Sequence, residues 1–84
     1  MALEIIYHLS RQKIEHPDKA DAMIENKFQG FAPVIGDEVF FPAGEVGYDE
    51  FESFVSVGFT VYRRWVIHEK KGSIDAIVIY ASMA

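Results

Sequence analysis

The stretch "VGFTVYRRWVIHE", residues 57–69, decides the fold. Val57, Phe59, Val61, Trp65 and Ile67 alternate with more polar neighbours, the pattern of a half-buried β-strand whose side chains point to opposite faces in turn. Arg63 and Arg64 interrupt that pattern by standing side by side, so one arginine must share the apolar face. Straight alternation gives that place to Arg63 and sets Arg64 on the second face with Thr60, Tyr62, Val66 and His68. The commoner role for an arginine placed like Arg63 is to lay its stem on aromatic rings while the guanidinium reaches water or a carboxylate. Unpaired burial would cost several kcal/mol, so an acidic neighbour is expected, from Glu4, Asp37, Glu38 or the run Asp49–Glu52.

Downstream, Glu69-Lys70-Lys71-Gly72 reads as a four-residue hairpin loop. That register sets His68 against Ser73, Trp65 against Ala76, Arg63 against Val78 and Val61 against Tyr80, with Trp65 as a packing anchor over a small residue. The partner strand, "SIDAIVIYAS" (73–82), is apolar on both faces, as expected of a central strand or an interface. Ile77, Ile79 and Ala81 extend one of those faces beyond what a single short helix covers, which predicts self-association through the sheet.

Upstream, Gly58 is the natural place for a bend or bulge in the long segment 52–68. "PVIGDEVFF" (33–41) puts the turn dipeptide Gly36-Asp37 before an apolar run and predicts a strand near 37–42, followed by an aperiodic loop to Asp49. Leu3, Ile5, Tyr7 and Leu9 alternate as a first strand. In "HPDKADAMIENKF" (16–28), Pro17 suits a first helical turn, and Ala20, Met23, Ile24, Lys27 and Phe28 form one helical stripe that Gly30 would terminate. The expected fold is therefore α+β: one domain, residues 1–84, with a small antiparallel sheet or partly open barrel of about five strands and one short helix (about 17–28) after the first strand.

Eighty-four residues bury only roughly 60–65% of the surface of the unfolded chain, so a partner subunit would help stability. There is no cysteine, hence no disulfide and no thiolate chemistry. No apolar run approaches the ~20 residues of a membrane span, and the amino-terminal residues lack a basic patch before an apolar core, so a cytoplasmic location is expected. The net charge of −5 disfavours non-specific nucleic-acid binding, although Arg63, Arg64, Lys70 and Lys71 gather half of the eight basic residues near one hairpin. The acids gather in "GEVGYDEFE" (44–52), where Glu45, Asp49, Glu50 and Glu52 predict an acidic surface.

Catalytic patterns are absent from the sequence. His8, His16 and His68 have no metal-ligand spacing, the serines lie in no nucleophile elbow, and Asp37-Glu38 and Asp49-Glu50 read as solvated turn acids. Gly44-Glu45-Val46-Gly47 would put a carboxylate where a phosphate must sit. No enzyme activity, metal or cofactor is expected.

"PVIGDEVFF" resembles the P-x-x-G-D-x-V opening of small Src-homology-like β-barrels, in which Gly-Asp turns into a barrel strand, and "VYRRWVIHEKKGSIDAIVIY" (61–80) is a loosely similar hairpin. The whole chain also resembles short orphan β-rich proteins of bacteria and their phages. The resemblance assigns no binding residues, since a helix at 17–28 departs from the minimal barrel and the aromatic peptide-groove pattern of its signalling members has no counterpart to assign.

Three functions follow in order. The first is a non-catalytic protein-interaction or assembly domain, self-associating through its sheet, with Tyr62, Arg64, Lys70, Lys71, Ile77 and Ile79 as interaction residues. The second is an acidic inhibitor or nucleic-acid mimic acting on a host protein. The third is single-stranded nucleic-acid binding along the Arg63, Arg64, Lys70, Lys71 edge with Tyr62 or Trp65 as stacking platforms. A homo-oligomer, with a protein partner besides, is the expected company.

Overall fold

The computed structural model describes residues 2–27, 32–68 and 74–83. Strand β1 (Ala2–Ser10) is followed by a 3-10 turn (Pro17–Lys19), β2 (Ala22–Lys27), β3 (Glu38–Pro42), a one-turn helix α1 (Ala43–Val46), β4 (Ser56–His68) and β5 (Ile74–Ser82). The five strands form one mixed sheet in the order β2-β1-β5-β4-β3. β5 is central, as its two apolar faces require, and it runs parallel to β1 and antiparallel to β4. The parallel pair corrects the expected all-antiparallel sheet.

The helix expected over 17–28 is also corrected. Pro17 starts only the 3-10 turn, and Ala22–Lys27 extend as an edge strand antiparallel to β1, with Tyr7 opposite Ile24 and Leu9 opposite Ala22. Ala22 and Ile24, two apart, pack on the core, whereas Met23 between them is exposed. An available edge on β1 thus outweighs the weak helical stripe, because strand pairing buries this period-2 set while a lone three-turn helix is marginal.

One face of the sheet carries the core. Ile5, Tyr7 and Leu9 of β1, Phe41 of β3, Val57, Phe59 and Val61 of β4, and Ile77, Ile79 and Ala81 of β5 pack together beneath Ala43 and Val46 of α1 and the ring of Tyr48. Leu9, Phe59, Ile79 and Ala81 are completely buried, and emptying a site such as Phe59 would cost about 3–5 kcal/mol. Helix α1 touches β3 and also β2 at the opposite edge, so the sheet curls into a half-barrel that α1 bridges. Hydrogen bonds from Ala43 N to Val55 O (2.8 Å) and Gly44 N to Ser53 O (2.9 Å) hold that bridge to the segment just before β4.

The turn before β3 forms as the Gly36-Asp37 pair predicts. Gly36 takes a φ of 97°, open to glycine at little cost, and its N–H donates to Val61 O while Val61 N–H donates to Asp37 O, both at 2.9 Å. Asp37 closes the turn by accepting from Val34 N at 3.0 Å.

Gly58 is not the bend. It pairs regularly with Phe40, and a Cβ there would come within 2.8 Å of the Phe40 ring, so the glycine makes room for an aromatic lying across it. The irregularity falls instead at Tyr62: Val61 pairs with Ala81 and Arg63 with Tyr80, leaving Tyr62 as an extra residue without a partner on β5. Beyond it the register also differs from the expected one, with Trp65 opposite Val78, Ile67 opposite Ala76 and His68 opposite Asp75. The hairpin loop, including Lys70 and Lys71, and the expected helix stop at Gly30 lie outside the described residues.

Candidate protein-interaction face

The extra residue at Tyr62 reverses the facing of the rest of β4. Val57, Phe59 and Val61 point into the core, but after the bulge Arg64 and Val66 continue that side, beside Ile79 and Ile77. Arg63, Trp65 and Ile67 turn to the second face of the sheet, beside Tyr80, Val78 and Ala76. The two arginines therefore exchange the places that straight alternation gives them. Arg64 is half-buried on the core side, where its Nε donates to Pro33 O at 3.0 Å and ties the segment before β3 to the sheet. It is a structural contact rather than the surface charge the sequence predicts.

Arg63 also finds a different partner. Its guanidinium lies 5.6 Å from the Trp65 ring centre and 5.4 Å from that of Tyr80, within cation–π range, and it forms no ion pair with a described residue. Tyr80 is the floor of this cluster. It is 1% exposed, stacked on His8 at 4.9 Å, 5.6 Å from the Trp65 ring and 6.2 Å from the Tyr62 ring. The Tyr62 phenol accepts from Ile14 N at 2.9 Å, which brings the residues after β1 over this end of the second face. Lys13, from the same segment, stands 5.7 Å above the Tyr62 ring.

Elsewhere the second face is uncovered. Trp65 is 49% exposed, Ile67 48% and Met23 60%, while Val78 and half-buried Ile6 fill the middle between them. The packing anchor expected at Trp65 is thus half in solvent, because the bulge turned it away from the core. Ile77 and Ile79, expected to form an exposed apolar face, are core residues at 6% and 0% exposure. The sheet does present an apolar surface, but it is the opposite one, set by Trp65, Ile67 and Met23.

His8 belongs to this face too. It is 8% exposed, its buried Nδ1 has no hydrogen-bond partner among the described residues, and burial pushes its pKa below the ordinary 6.5, which favours the neutral ring. Neither His8 nor Met23 stood out in the sequence as part of a surface. The signal available was the alternation of Ala22 and Ile24 with Met23 and Glu25, which places Met23 across from His8 once the segment is read as a strand.

The acidic loop, with Glu45, Asp49, Glu50 and Glu52 all exposed, also makes a structural contact. Glu50 takes both ends of the Arg11 guanidinium at 2.6 Å, and Arg11 lies 4.0 Å over the Tyr48 ring. The Tyr48 phenol donates to Asp21 at 2.8 Å, and the same carboxylate oxygen accepts from Arg11 N at 3.1 Å. Arg11 holds the Glu50 carboxyl below its ordinary range, and burial followed by the bond to Asp21 pushes the Tyr48 phenol up. Together these contacts latch the loop after α1 to the turn before β2 and close the half-barrel. Glu45, Asp49 and Glu52 remain exposed around the latch.

Two depressions, of about 310 and 350 Å³, flank Lys13, the first lined by Ser10, Arg11, Lys19 and Asp21 and the second by Ile35, Thr60, Val61 and Tyr62. Among the described residues no three His, Asp or Glu side chains converge as a metal site, and no helix is long and apolar enough to cross a membrane. No protein-family model, curated protein or solved structure matches the chain. The functional reading accordingly rests on the chemistry of the exposed face.

Proposed function

We propose that this protein is a non-catalytic interaction and assembly domain that packs the second face of its sheet against protein. The observation that carries this reading is the half-exposure of Trp65 and Ile67 on a face whose floor, Tyr80, is fully buried. Large rigid rings standing on a preformed floor lose little conformational freedom on docking, which is why tryptophan and tyrosine dominate the centres of protein interfaces. The aromatic face also bears Arg63, a residue type that adds hydrogen bonds and stacking to such centres.

Stacking of single-stranded nucleic acid on the same rings is the weaker reading. Glu4, Glu25 and Glu38 share the face with Arg63, which weakens the positive field that phosphates need, in keeping with the net charge of −5. The inhibitor reading loses part of its acidic surface, since Glu50 is neutralised by Arg11.

The test uses Trp65→Lys, a change at a half-exposed site. With the circular dichroism spectrum unchanged and the variant still folded at the assay temperature, it should lose the protein contacts that the parent makes in chemical cross-linking from its native cell. Identical cross-linked partners for parent and variant would refute the assignment of this face.

A further inference from the structure

Resting on the reading that the Trp65 face binds protein, we infer that its occupant is a second copy of this chain, packed face to face about a two-fold axis that runs along the strands between β1 and β5. The argument starts from the order of side chains across the sheet. Met23, His8, Tyr80 and Arg63 lie abreast on β2, β1, β5 and β4, and Glu25, Ile6, Val78 and Trp65 form the next row. The middle of both rows is buried or half-buried, and the margins differ in character. Arg63 and Trp65 mark the β4 side; Met23 and Glu25 mark the β2 side.

A two-fold axis between the central strands lays β4 of one protomer over β2 of its partner. Arg63 then meets Met23 and stands one pleat from Glu25, while Trp65 covers the stem of Glu25, and each contact occurs twice. In the two rows that carry Met23 and Glu25, a buried or half-buried centre lies between a cation on the β4 margin and an anion on the β2 margin, and that operation makes these rows self-complementary, while Glu4, in the row with Ala76 and Ile67, comes over Ala76 of the other copy. Neither Arg63 nor Glu25 forms an ion pair with a described residue, so both charges are available to the partner.

The size of the face bounds how stable the dimer can be. Four strands about 4.8 Å apart and about six residues long give a patch of roughly 19 × 20 Å, near 400 Å² of projected area on each protomer. With about 800 Å² for the two protomers together, the patch lies below the size of stable specific interfaces, which makes the dimer a weak and reversible one.

Sedimentation velocity from about 1 to 500 µM should show a monomer–dimer equilibrium, and emission of the chain's one tryptophan, Trp65, should shift to the blue with the same midpoint. Arg63→Glu and Glu25→Arg should each raise Kd at least about tenfold, because each sets like charges against one another at both contacts. An equimolar mixture of the two variants should restore association, since in the mixed dimer the two exchanged charges face each other and so do the two native ones. A wild type that remains monomeric at the top of the range, or a mixture no tighter than either variant alone, would overturn the inference.

If a charge reversal prevents folding, Arg63→Gln and Glu25→Gln make the same distinction: each should weaken the dimer and remove most of its salt dependence, and an unchanged Kd would overturn the pairing. A monomeric wild type whose cross-linked partners still vanish in Trp65→Lys discards the second copy and keeps the face. A monomer indifferent to Trp65→Lys discards both.

Discussion

Deleting Tyr62 should be tolerated, because the ladder already runs past it. Val61 pairs with Ala81 and Arg63 with Tyr80, so removing the residue between them joins two pairs that are already adjacent on β5 and leaves every other side chain on its present face. What is lost is local. The hydrogen bond between the Tyr62 phenol and Ile14 N contributes about 1 kcal/mol, the ring contact with Tyr80 about 0.5–1 kcal/mol, and Lys13 over the exposed side of the ring about 0.5 kcal/mol. The expected destabilisation is therefore about 2–2.5 kcal/mol. Deleting Thr60 shortens β4 by the same one residue with a different result, since the straightened strand would move Val61 to the second face beside Ser82 and Tyr62 into the core beside Ala81. Val61, 1% exposed, gives up about 1.5–3 kcal/mol of burial, and a phenol ring in the space of a valine adds about 1–3 kcal/mol of overpacking. Urea unfolding of the two deletion variants side by side measures the difference. Equal losses, or a greater loss without Tyr62, would show that the extra residue is not where the pairing places it.

Three further outcomes are expected. Because burial lowers the pKa of His8, its neutral form stabilises the fold fully above pH about 6.5, and that contribution is lost as pH falls through the unfolded value toward the lower folded one; melting temperature should drop from pH 7 to 5, and His8→Phe should flatten that slope, so an equal slope in the variant would refute the assignment. Tyr48→Phe removes the bond to Asp21 and should cost about 1 kcal/mol by denaturant midpoint, with faster hydrogen exchange at Arg11 N; unchanged exchange there would mean that the latch does not hold the turn. Trp65→Ala should cost only about 1–2 kcal/mol against about 3–5 kcal/mol for Tyr80→Ala, since half of the indole is already in water whereas the Tyr80 ring is fully buried; similar losses in calorimetry would contradict the facing of β4.

What could be read from the sequence was set by how local each signal is. The turn at Gly36-Asp37 and β3 follow from residues that touch one another, and the double apolarity of residues 74–82 announces a central strand wherever its neighbours come from. Segment 16–28 misleads because Ala20, Met23, Ile24, Lys27 and Phe28 satisfy a helical stripe while Ala22 and Ile24 satisfy a strand, and the deciding quantity is the free edge of β1, a tertiary fact. The parallel pairing of β1 with β5 leaves no trace in either segment. At the site, Tyr62, Arg63 and Trp65 are visible as an aromatic-basic cluster, but apolar residues occur at both parities of 61–67, so the alternation cannot locate the bulge that assigns them their faces. Straight alternation therefore points to Ile77 and Ile79 for the exposed surface, which lies on the opposite face of the sheet.

The central place of β5 also governs when the protein can fold. Its ladder partners on β1 are distant in the chain: Ile5 and Ile77 are 72 positions apart, and β5 alone links the β1–β2 pair to the β3–β4 pair in the sheet. Hairpins form in about 1–10 µs, but a ribosome adding about 5–20 residues per second needs roughly 4–14 s to travel from Ile5 to Ile77. For those seconds the nascent β1–β2 hairpin has Ile5, Tyr7 and Leu9 on a face with no strand beside it and an open β1 edge, the kind of surface that chaperones hold and that neighbouring chains on a polysome find first. Synthesis halted before Ile74 leaves two hairpins with no common sheet, so this small domain gains its cooperative structure only when β5 has emerged to join them.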